Sequence, residues 1–128
     1  MGTDTGFKLR TAAPSGDWRS MPVVAPSGGV TAGRWDLIHD TVGVYMQTAA
    51  VGEVVAFCYH AEKIMAPKSV VSGAGEFEVG DKVWFDHADA NVNNDSGGNY
   101  MCGICVKKPA LADTEVLIDL DGAHVTVS

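Results

Sequence analysis

The chain reads as an all-β domain: a small barrel or sandwich of short, mostly antiparallel strands with an extended N-terminal arm. Three observations predict it. Strand signals recur at intervals of about ten residues with turn signals between them, the spacing of small sandwiches and barrels. No segment sustains a 3.6-residue apolar period long enough for a helix. Glycine is frequent, 15 in 128 residues, and supplies the turns that many short strands need. A chain of this length makes one domain and buries a core without disulfides or metals. Its 46% apolar content excludes disorder as the main state. The reading divides it into a flexible arm, residues 1–16, and a single β domain, residues 17–128.

In chain order, the arm has Phe7 and Leu9 as its only large apolar anchors, and Gly2, Gly6, Pro14 and Gly16 break any regular element. Residues 18–25 form a strand that Pro22, lacking an N–H, confines to an edge or a bulge. Residues 34–39 and 42–48 follow, joined through Asp40-Thr41. Residues 53–60 alternate, with Val54, Ala56 and Cys58 on one face and Val55, Phe57 and Tyr59 on the other. Both faces are apolar, which predicts a central strand covered on both sides. Residues 62–66 make a short strand. Residues 67–74 are ambiguous and have room for one helical turn. Residues 82–86 put Val83 and Phe85 on one face and Trp84 on the other. Residues 88–98 form a polar loop, 99–107 and 115–120 are strands, and 123–128 add a short terminal one.

The charge is −7. An acidic chain lacks the basic face that replaces counterions on nucleic acid, and it is equally unsuited to an anionic membrane surface. No apolar run is long enough for a transmembrane helix, and the N-terminus has neither a secretory nor a myristoylation pattern. The three cysteines fit a protein made in a reducing cytoplasm.

Each sequence with chemical promise fails a physical requirement. Cys102-Gly103-Ile104-Cys105 has redox spacing, but its surroundings read as a strand. There, Cys102 shares a face with Tyr100, Ile104 and Val106, while Cys105 shares the other with Met101, so the thiols read as structural. Gly75-Glu76-Phe77-Glu78-Val79-Gly80-Asp81 half-resembles a phosphate loop, yet Asp81 stands where lysine is needed, and Gly80-Asp81 reads as the corner into a strand. The run from Asp89 begins like a calcium loop, but Asn94 and Tyr100 stand where glycine and a bidentate glutamate are required. His39, His60, His87 and His124 have no neighbour at ligand spacing, and no Gly-x-Ser-x-Gly elbow exists. The expectation is no enzyme, no cofactor and no metal. Trp18, Trp35 and Trp84 read as core residues, any of which would also suit a subunit contact.

The order of the glycine landmarks carries a resemblance. APSGGVTAG (residues 25–33) is followed by Gly43-Val44, Gly52-Glu53, the run Gly80-Asp81-Lys82-Val83-Trp84-Phe85-Asp86, and Gly98-Asn99. From about Gly16 to Gly122 the chain resembles the capsid cement, or decoration, proteins of tailed phages, a family often labelled as a RecA/RadA-like phage recombinase. The resemblance implies a structural virion protein, made in the bacterial cytoplasm, that binds the exterior of the mature capsid and stabilises it. It also implies the major capsid protein as partner and a homotrimer at threefold and quasi-threefold positions. The other reading is a carbohydrate- or receptor-binding β module of a phage tail. On the capsid reading, Phe7, Lys8, Leu9 and Arg10 are the candidate contacts. Lys8 and Arg10 are the only basic residues before Arg19. A segment of this composition either orders against a partner as a strand or wedge, or remains a passive tail.

Overall fold

The structure is a computed structural model and describes residues 15–125, with side chains from Trp18 onward. Phe7, Lys8, Leu9 and Arg10 lie outside the described residues. Eight strands form one sheet: β1 (Ser15–Val24), β2 (Trp35–Ile38), β3 (Thr41–Tyr45), β4 (Val54–Pro67), β5 (Lys82–Asp86), β6 (Asn91–Asn93), β7 (Tyr100–Lys107) and β8 (Glu115–Asp121). Their order is β2-β3-β4-β8-β7-β5-β6, with β1 paired to β4. All strand pairs are antiparallel. The sheet curls until β6 meets the end of β4 through a parallel bridge between Lys68 and Val92. The result is a nearly closed, barrel-like all-β fold, as the sequence predicts.

β4 organises the domain. It is one strand of 14 residues where the sequence suggests two, because the charged pair Glu62-Lys63 interrupts its alternation. The structure absorbs that pair in a bulge. Lys63 takes φ 56°, and its N–H leaves the ladder to donate to Asp119 Oδ1 at 3.0 Å. The extra residues let Ala61 and Ile64 both point inward while Glu62 and Lys63 stay in solvent.

Both faces of β4 carry buried residues, as its two apolar faces predict, although Val54 at its start is exposed. Cys58, Ala61, Ile64 and Ala66 join the barrel interior with Trp35, Val42, Phe85 and Ile118. Val55 and Phe57 face a second core with Tyr45, Val30, Ala25 and Ala49. Residues 25–33 are the lid of this second core. Val30 bridges to Ala49, and Gly28, Gly29 and Gly33 all take positive φ. At Gly29 the requirement is also steric, since a Cβ would stand 2.7 Å from the Ala49 carbonyl oxygen.

β1 pairs only with β4 among the described strands, the edge position that Pro22 demands. The β2–β3 turn is His39-Asp40, one residue earlier than expected. Ile38 already pairs with Thr41, and His39 takes φ 55°. The ambiguous segment after β4 is not helical: it is a turn closed by the Gly75 N–H donating to the Val71 carbonyl at 2.8 Å, with Gly73 at φ 85°. β6 lies inside the expected polar loop. Its one apolar residue, Val92, is fully buried opposite Phe85 and is enough to draw the segment into the sheet. Beyond β8 the expected terminal strand is instead a turn at Ala123-His124, and residues 126–128 lie outside the described residues.

Candidate functional site

The cysteines belong to the interior. Cys58, Cys102 and Cys105 are free and buried. The expectation that Cys102 and Cys105 point to opposite faces is corrected. The pairing of β5 with β7 shifts between Val83–Gly103 and Trp84–Met101, which leaves Cys102 as the extra residue of a bulge. One added residue reverses the alternation, so positions three apart both face the core. Burial pushes the Cys102 thiol up to about 12 and the Cys58 thiol up to about 11, the latter opposed by a contact with the His60 carbonyl. Burial also raises Cys105. Such thiols are protonated and inert at neutral pH.

Gly80-Asp81 is the corner into β5. Gly80 takes φ 93°, its N–H donates to the Cys105 carbonyl, and Asp81 Oδ2 accepts the Glu78 N–H at 2.8 Å. The carboxylate is used inside its own turn. In the polar loop most side-chain amides are bonded, although Asn91 Oδ1 is buried without a hydrogen-bond partner. Asn99 Nδ2 donates to the Asp95 carbonyl at 2.8 Å, and Asn94 Nδ2 donates to the carbonyls of Gly73 and Glu76. Among the described residues no group of three or more His, Cys, Asp or Glu is arranged to hold a metal ion.

Three of the four histidines lie beside aspartates remote in sequence. His87 Nε2 is 3.3 Å from Asp36 Oδ1, His124 Nδ1 is 3.4 Å from Asp40 Oδ2, and His60 Nδ1 is 4.0 Å from Asp121 Oδ1. The Asp36 group is the densest. Its Oδ2 accepts the Tyr45 hydroxyl at 2.9 Å and lies 3.5 Å from Arg34, while Oδ1 accepts the Leu37 N–H. Burial, then the bond to Asp36, pushes the Tyr45 phenol up to about 12, so the hydroxyl remains a donor. β2 and β6 are the two ends of the sheet. His87, in the turn between β5 and β6, therefore ties one end to the other where no ladder joins them. The arrangement is a structural clasp. Sequence reading treated the histidines singly and missed it, because the pairs span 51 to 84 positions and only the curl of the sheet brings them together.

What the surface offers is apolar contact. Val24 and Val54, paired across β1 and β4, are 63% and 69% exposed, and Val51 in the adjoining turn is 62% exposed. Val24 and Val54 read as strand residues in the sequence, which could not show that the sheet leaves them uncovered. Of the tryptophans, Trp35 is buried, Trp84 half-buried, and Trp18 on the edge strand 40% exposed.

Other exposed apolar residues lie elsewhere on the surface, among them Val70, Val71, Val79 and Ile104. Residues 15–120, spanning the sheet from the first residue of β1 to near the end of β8, match the family model described as phage cement protein. The chain belongs to the phage cement protein family. No curated protein and no solved structure matches it. As a cement protein it is a structural viral protein associated with the capsid of the bacteriophage virion. At Gly80-Asp81 the glycine N–H and the carboxylate are both occupied in the corner into β5.

Proposed function

We propose that this cement protein binds the exterior of the mature capsid lattice, with the major capsid protein as its partner, and stabilises the shell. Membership of the cement family across the whole barrel carries the reading. A protein that binds the assembled lattice and not its dissociated subunits shifts the equilibrium toward the assembled state, and many copies multiply a small gain per contact. The uncovered valines, Val24, Val51 and Val54, support a contact on that end of β1 and β4. We assign the protomers to homotrimers at threefold and quasi-threefold positions, because a cyclic trimer matches those axes. Phe7, Lys8, Leu9 and Arg10 supply a second contact, with the basic pair meeting acidic groups on the shell. Synthesis takes place in the host cytoplasm, and no nucleic acid, membrane, metal or cofactor has a part in it.

The test is binding of the purified protein to mature capsids, with band quantitation of purified virions. Hundreds of copies per particle, an outer-surface location by imaging, and capsids that withstand heat better when decorated are the expected results. A few copies per particle would instead place the protein in the tail and overturn the reading. Deleting residues 2–12 is expected to weaken capsid binding at least about tenfold, or roughly 1.4 kcal/mol. Full affinity of the deleted form would make the arm a passive tail.

A further inference from the structure

Across the outer face of β4, β8 and β7 runs a notch of about 270 Å3. Its floor is apolar. Met101 lines it, and so does Ile104, which is 45% exposed. Gly103 lines it too, and a Cβ there would run into the Asp119 carbonyl. Its rim is acidic, with Glu62, Asp119 and Asp121 around it and a single imidazole, His60, 4.0 Å from Asp121. An apolar floor with a carboxylate rim fits an extended segment in which apolar and basic residues alternate.

The chain contains such a segment close by. Residues 7–10 read Phe-Lys-Leu-Arg, and they carry the only basic residues before Arg19. The described chain begins at Ser15, whose pairing partner in β4 is Glu62, itself on the rim. From β1 to β7 is three strand spacings, roughly 14 Å. The link from Arg10 to Ser15 spans up to about 17 Å when extended. The segment therefore reaches the notch without disturbing β1.

We propose that in the free protein residues 7–10 dock in the notch of their own chain. Phe7 and Leu9 lie on the Met101–Ile104 floor, and Lys8 and Arg10 meet Glu62, Asp119 and Asp121. Docking covers two apolar side chains that otherwise face water. Where the same four residues also contact the shell, the notch and the lattice compete for them. That clause alone rests on the function proposed above.

The experiment uses the full-length protein with a nitroxide on Thr5→Cys, the native thiols being buried. Strong paramagnetic broadening of the Ile104, Asp119 and Asp121 amides is expected, with little at Gly28. Lys8→Glu/Arg10→Glu keeps the tether identical and is expected to lower the ratio of docked to free arm at least about tenfold. Adding Glu62→Lys/Asp121→Lys to that variant is expected to restore part of the broadening. Broadening that survives the charge reversal, or that spreads evenly over the domain, overturns the proposal. A mixture of isotope-labelled protein without nitroxide and unlabelled protein with it separates the sources. Broadening in that mixture means the notch takes the arm of a second copy, which also overturns docking within one chain. A notch empty in free protein whose capsid affinity still depends on the arm overturns this inference and leaves the capsid reading standing.

Discussion

The two cores of this cement protein are built from the two faces of one strand and are held in different ways. The barrel interior is closed by strands from every part of the sheet, each sending alternate side chains inward. The outer core has strands on one side only, and its cover is the glycine-rich stretch 25–33, fixed to the body by the Val30–Ala49 bridge. Repeated pairing makes the first core redundant. The second depends on a few residues taking positive φ. The comparison teaches that Gly28, Gly29 and Gly33 serve the lid, whose path needs their positive φ.

The largest expected effect separates the cores by what comes apart. Phe85→Ala in the interior and Phe57→Ala in the outer core each remove a fully buried ring and should cost about 3–5 kcal/mol in urea denaturation. Hydrogen exchange should then distinguish them, with Phe57→Ala loosening residues 25–33 before the barrel opens and Phe85→Ala loosening all strands together. Equal loosening everywhere in both variants would merge the two cores into one. Trp84→Ala, on the half-buried side of the same strand as Phe85, should cost clearly less than Phe85→Ala.

Next in size is the lid itself. Gly29→Ala meets both a φ of +73° and the Ala49 carbonyl, whereas Gly28→Ala at φ +87° has open space around it. We expect Gly28→Ala to cost about 1–2 kcal/mol from backbone strain alone and Gly29→Ala to cost more. Thermal melts that reverse this order would show that the lid shifts to relieve the contact.

The interior thiols give a signature in alkali. Cys102 and Cys58 are raised from an ordinary value near 9 to about 12 and about 11. Above pH 9 the unfolded chain loses these protons while the folded chain keeps them. Stability is therefore complete below that value and falls as pH rises toward the folded ones, by up to about 1.4 kcal/mol per pH unit for each thiol. Cys102→Val should flatten the fall. In native protein at neutral pH a thiol reagent should find none of the three cysteines, and all three should react on unfolding.

The smallest effect is that of the clasp. His87 is more than half exposed, so His87→Gln should cost less than about 1 kcal/mol. A cost indistinguishable from zero would leave the contact without energetic weight.

By itself the sequence determined the strand content, the edge position that Pro22 forces on β1, the two-sided burial of β4 and the corner at Gly80-Asp81. Each is a local consequence of alternation, of a missing N–H or of glycine's freedom at positive φ. The order of its glycines was enough to suggest the family. Tertiary structure decided where alternation breaks. The bulges at Glu62-Lys63 and at Cys102 place residues three apart on one side, which no local period encodes, because a bulge is set by what the neighbouring strand can accept. Tertiary structure also drew Val92 into the sheet from a polar loop, and it brought His87 to Asp36 and the acidic notch to the first residue of β1. Those contacts join residues dozens of positions apart, and their energy exists only once the sheet has curled.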